Sequence, residues 1–148
     1  MRTWRAICGG CCSVLALTAC DRAAAGVASS ALSVRAAWAR SADSGATTAV
    51  YFVLENGSGV SDTLSGVSSG SAVSATMHMS MQQGRMMQMA PVTSLPVPAE
   101  DSVSFQPLGA HVMLNGLTRA LVDGDTVLVT LHFVSGRAVE VRAGVRNP

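Results

Sequence analysis

The sequence has no lysine, and beyond residue 20 it has no cysteine. Aromatic residues make up 4% of its 148 positions and charged residues 13%. The ten basic residues are all arginine, scattered without a stripe, so the electrostatic footprint of a nucleic-acid binder is missing. A domain without cysteine has no disulfide, no thiolate ligand and no thiol nucleophile. The same absence excludes a blue-copper centre, which needs a thiolate beside two imidazoles, and a haem attached through Cys-x-x-Cys-His. No Ser/His/Asp set or paired carboxylates stand out, so enzymatic chemistry is not expected. With 49% apolar residues the chain is not of the disordered, highly charged class, and its length suits one domain.

The few cysteines are confined to the start. Arg2 and Arg5 precede an apolar stretch from Ala6 to Ala16 that ends in Leu17-Thr18-Ala19-Cys20. A basic start, a short apolar run and small residues describe a secretory signal, too short to span a bilayer. Leu-Thr-Ala-Cys resembles the bacterial lipobox, in which the chain is cut before a cysteine that then carries lipid. Residues 1–19 are then a lipoprotein signal peptide, residues 20–32 a lipidated N-terminus and small-residue tether, and residues 33–148 the folded domain. Asp21 resembles an inner-membrane retention signal and points to the periplasmic side of that membrane. The alternative is plain secretion with cleavage near Ala23-Ala24-Ala25, which would discard Cys20. Without residues 1–19 the chain keeps eight arginines against nine acidic residues, so no charge imbalance draws it to an acidic partner.

The remainder predicts an all-β domain. Thr47–Leu54 is β-branched and aromatic and runs into the turn signal Glu55-Asn56-Gly57-Ser58-Gly59. Thr126–Phe133 alternates, with Val127, Val129, Leu131 and Phe133 on one face and His132 on the polar one. A last strand is expected near Ala138–Val145. Turn signals every 8–12 residues indicate a β-sandwich of about seven to nine strands.

What the sequence has in excess is methionine. Of eight, seven lie between Met77 and Met113, together with His78 and His111. Gln83-Gly84 predicts a two-residue hairpin turn, which sets His78 opposite Met89 and puts Met87 on the same face. His111 and Met113, two apart, share one face of another strand. Two such His–Met pairs on neighbouring strands would form a cage of two imidazoles and two thioethers. Neutral, soft donors suit Cu(I), with Ag(I) as a mimic, whereas Zn²⁺ prefers thiolate, imidazole or carboxylate, and Ca²⁺ or Mg²⁺ oxygen. The alternative is an envelope lipoprotein that binds a protein partner and uses a methionine-rich core as packing.

His78, ten residues, Met89, twenty-one residues, His111-x-Met113 resembles the signature of the periplasmic copper chaperones of the PCuAC type. Trp38-Ala39-Arg40, Tyr51 to Asn56, Asp62-Thr63-Leu64, Met89-Ala90-Pro91-Val92, Leu95-Pro96-Val97-Pro98, Gly109 to Leu117 and Leu121 to Val127 extend the likeness. The resemblance implies a cupredoxin-like Greek-key sandwich holding one Cu(I) through His78, Met89, His111 and Met113. It also implies delivery to the dinuclear copper centre of a terminal oxidase subunit, with a thioredoxin-like copper chaperone as a partner. Many members have a histidine- and methionine-rich tail that takes Cu(II); Val145-Arg146-Asn147-Pro148 is not such a tail, and no high-affinity Cu(II) site is expected there. The surplus methionines Met77, Met79, Met81, Met86 and Met87 lie outside the signature, Met87 being the nearest to a spare ligand.

Overall fold

A computed structural model describes residues 32–147. The signal segment, Cys20 and the tether up to residue 31 lie outside the described residues. The described chain is all β, with ten strands rather than seven to nine and no helix among the described residues. In order they are β1 (Leu32–Arg40), β2 (Thr48–Asn56), β3 (Asp62–Ser68), β4 (Ala72–Gln83) and β5 (Met86–Val92). They continue as β6 (Leu95–Val97), β7 (Asp101–Phe105), β8 (Ala110–Leu117), β9 (Thr126–Phe133) and β10 (Ala138–Arg146). The higher count arises because two short strands, β6 and β7, flank the Pro98–Glu100 bend, where sequence patterning has too few residues to register a period.

The strands hydrogen-bond in the order β5-β4-β8-β7-β2-β1-β10-β9-β3-β6, with β8 also paired directly to β2. Met77 of β4 and Leu64 of β3, far apart in that order, belong to one buried cluster. The sheet therefore curls over a single core, as a sandwich does. Alternation dictates who enters it. On β9, Val127, Val129, Leu131 and Phe133 are buried while His132 is exposed, 2.8 Å from Ser68 Oγ. On β2 the even positions Val50, Phe52 and Leu54 face the core, and Phe52 stacks on Phe105 with ring centroids 4.3 Å apart. Truncating a buried leucine such as Leu131 to alanine typically costs about 2–5 kcal/mol, so this aliphatic core is where most of the stability resides.

One irregularity positions the outer face. Between Arg35 and Trp38 the register of β1 against β2 slips by one residue, and Ala36 takes φ +53°. The extra residue is a bulge. It sets Trp38 opposite Tyr51, on the face of β2 that points away from the core, and leaves Ala39 fully buried.

The turn between β9 and β10 is tied to β3 by a buried carboxylate. Asp62 accepts hydrogen bonds from the Ser135 hydroxyl, from the backbone N–H groups of Thr63 and Ser135, and from Arg137 Nη2 at 3.1 Å. Burial pushes the Asp62 carboxyl up, but the hydrogen bonds from Ser135 and Thr63, helped by the Arg137 charge, outweigh it and hold the group below its ordinary 3.8. A carboxyl lowered in the native state stabilises fully above its unfolded pKa, and that contribution drains as the pH falls towards the native value. Asp62→Ala should therefore cost about 2–3 kcal/mol at neutral pH, since it strands several donors. In denaturant melts the gap to the parent should narrow below about pH 4; a gap independent of pH would contradict this account.

Candidate metal centre

The candidate ligands sit on the outer face of three neighbouring strands, β5-β4-β8. On β8 the even positions Ala110, Val112 and Leu114 enter the core, which sends His111, Met113 and Asn115 outward. On β4 Met77 is buried among the core residues, so Thr76, His78 and Ser80 face outward. The two strands pair antiparallel with His78 directly opposite His111 and Thr76 opposite Met113. The histidine rings are 5.9 Å apart between centroids, in a near-stacked orientation of 27°.

The hairpin from β4 to β5 differs from its expected register. Gly84 and Arg85 form the turn, not Gln83 and Gly84, because Gly84 takes φ +63° at the first central position, where a type II′ turn requires glycine. Gln83 then pairs with Met86, Ser80 with Met89, and His78 with Pro91 instead of Met89. Moving the turn by one residue shifts the pairing by two, so every side chain keeps its face. Met89 remains on the face of His78 as a diagonal neighbour, and Met87, opposite Gln82, shares it too.

Met89, Met113, His111 and Met87 line one cleft of about 480 Å³, with Tyr51, Ser80 and Arg40 among the other walls. His78 is not on that lining. Its Nε2 lies 3.1 Å from Thr76 Oγ1, which in turn accepts a hydrogen bond from the Asn115 amide at 3.3 Å. Of the four expected ligands, three thus meet in the cleft and the fourth stands beside them, ring to ring with His111. His111 is 4% exposed although it faces outward, with the rings of Tyr51 and His78 beside it and the turn before β8 hydrogen-bonded to it. In that turn the Gly109 carbonyl accepts hydrogen bonds from Ser80 N at 3.1 Å and from His111 Nδ1 at 3.0 Å. A carbonyl can only accept, so Nδ1 carries a proton, and in its neutral form the ring offers its Nε2 lone pair. This is how ligating histidines are usually oriented.

Beyond the histidines an aromatic row closes the site. Tyr51 lies 6.3 Å from His111 and 4.5 Å from Trp38 between ring centroids, and the Arg146 guanidinium caps Trp38 at 4.0 Å. Sequence patterning does not mark Thr76, Gly109 and Asn115 as supports of the site. The signal available for two of them was parity: Thr76 is two before His78, and Asn115 two after Met113.

Chemically the donors of the cleft are soft and neutral. Its lining includes one arginine, no carboxylate and no thiolate, and no group of three or more His, Cys, Asp or Glu that could hold a metal occurs among the described residues. Hard divalent cations find no anionic oxygen here, whereas thioether and imidazole suit a soft monovalent ion. Most of the methionines are not core filler. Met77 alone is buried, Met79 packs against the core, and Met81, Met86, Met87 and Met89 are 50–76% exposed.

A family model described as "Putative lipoprotein LpqE-like" matches residues 32–145. The "Putative lipoprotein Lxx21020" of Leifsonia xyli subsp. xyli is 32% identical over 115 residues, which are 77% of this chain and 69% of that protein. The solution structure of CuI-DR1885 from Deinococcus radiodurans is 34% identical, covers 84% of this chain and 86% of its own, and superposes with a TM-score of 0.61. The copper-bound PCuAC domain from PmoF2 shares the fold, with a TM-score of 0.67 at 24% identity over 80% of this chain and 94% of its own. The cupredoxin-like sandwich expected from the sequence is therefore present.

The hydrogen bond to Gly109 predicts that, without metal, the neutral form of His111 is the Nδ1–H tautomer. Nitrogen-15 NMR of the ring should show a protonated Nδ1 and a bare Nε2. The opposite assignment would contradict the orientation described here.

Proposed function

The chain belongs to the LpqE-like lipoprotein family, of PCuAC type, and we propose that it is an extracytoplasmic Cu(I) carrier. The observation that carries this reading is the convergence of His111, Met89 and Met113 on one cleft, with His78 opposite His111. Those four side chains are the ligands of a single Cu(I). They are all neutral, so the ion's charge stays uncancelled and the site releases its cargo more readily than a thiolate site would. Met89 is 59% exposed, which leaves the metal within reach of an acceptor. Lipid on Cys20 holds the carrier at the membrane, on the periplasmic side of the inner membrane, where stable attachment needs more than one acyl chain. The acceptor is a copper-accepting oxidase subunit or a thioredoxin-like copper chaperone serving it. Transport, and no chemical conversion, is the task.

The test is a Cu(I) competition titration against a chelator of known affinity. The chain carries Cys8→Ser, Cys11→Ser, Cys12→Ser and Cys20→Ser, so that no thiolate competes. The parent should bind one Cu(I), Ag(I) should displace it, and an equal amount of Zn²⁺ should not. His111→Ala should weaken binding at least about tenfold, or about 1.4 kcal/mol. A parent that fails to compete would overturn the proposal.

A further inference from the structure

We propose that Met87 is a fifth donor of the cleft, one that replaces the His78 imidazole on Cu(I) while the ion is received or released. The inference rests on the reading of the cleft as a Cu(I) site and adds to it a ligand outside the four-residue signature.

Three observations carry it. Met87 lines the cleft together with Met89, Met113 and His111, whereas His78 does not. The register of β4 against β5 puts Met87 opposite Gln82, two positions along from the Ser80–Met89 pair and on the same face. Finally, Met87 is 50% exposed on β5, the edge strand of the sheet, where an apolar side chain contributes little to packing.

The two candidate donors differ in what they do when they are off the metal. The His78 Nε2 has a waiting partner in Thr76 Oγ1, itself steadied by Asn115, so the imidazole leaves the ion without stranding a polar nitrogen. A thioether needs no partner. Met87 at the rim can therefore take up the vacated position at little cost, and the ion keeps its coordination number throughout. Both donors are neutral, so the exchange moves no charge and no proton. A rim thioether is also the group that an incoming acceptor meets first.

The proposal predicts coupling between positions 78 and 87. In the same cysteine-free chain, Cu(I) affinity is measured for the parent, Met87→Leu, His78→Ala and the double variant. Copper-edge X-ray absorption counts the sulfur neighbours of each. Met87→Leu alone should weaken binding no more than about threefold, because His78 serves the ion. In the His78→Ala background the same change should weaken it at least about tenfold, the non-additivity that a shared ligand position produces. His78→Ala should show three sulfur neighbours, and the double variant two. An equal effect of Met87→Leu in both backgrounds, of whatever size, would overturn the substitution. If instead the parent holds no Cu(I), the carrier reading fails and this proposal with it. If the parent binds and His111→Ala releases the ion while the two backgrounds agree, Met87 alone is refuted. Leucine keeps the volume of Met87 on an exposed edge, so the variant retains the fold.

Discussion

The two-residue period of the β-strand governs which side chains in this domain meet water and which meet the core. On β8, Ala110, Val112 and Leu114 must face inward because the aliphatic core has no aromatic surplus to replace them. Once they do, His111 and Met113 have no choice but to face outward together. β4 obeys the same rule from Met77, and β5 follows β4 through the hairpin. Stability and ligand placement are thus two sides of one constraint. A slip of β4 by a single residue would carry His78 into the core and Met77 out of it, which the burial of the cluster forbids.

The immediate surroundings convert that placement into a usable site. A histidine whose Nδ1–H is held by the Gly109 carbonyl presents one nitrogen in one direction, and the Tyr51–Trp38–Arg146 row walls the region beside it. The bulge at Ala36 is part of this arrangement, since without the extra residue Ala37 rather than Trp38 would oppose Tyr51. Softness and neutrality then set the character of the binding. Thioethers and imidazoles discriminate against hard cations by donor type, and they leave no trapped negative charge when the ion departs. A domain that receives and gives up its cargo needs both properties.

Much of this is legible in the residues. Thr126–Phe133 reads as a strand with the bounds that it has, and His132 falls on its polar face because both neighbours, Leu131 and Phe133, are buried. The faces of His78, Met87 and Met89 are legible too, because a two-residue shift in pairing preserves parity. The pairing itself is not. Gln83-Gly84 and Gly84-Arg85 both satisfy a two-residue turn, and the choice depends on which central position takes the positive φ, a matter of strand twist that sequence does not display. The His78–His111 opposition and the role of Thr76 are hidden for a similar reason: both depend on the register between residues more than thirty positions apart in the sequence. Strands as short as β6, three residues long, carry too little pattern to be counted.

The central claim is that one face of β5-β4-β8 binds the metal and the reverse face does not. Methionine-methyl NMR of the cysteine-free chain during Cu(I) addition tests it directly, because the seven methionines from Met77 to Met113 divide between the two faces. The methyl signals of Met89 and Met113 should shift together and saturate at one equivalent, with Met87 responding beside them. Those of Met77, buried in the core, and of Met81 and Met86, on the reverse of the hairpin, should stay in place. Shifts centred on Met81 and Met86, or no shift at Met113, would contradict the account.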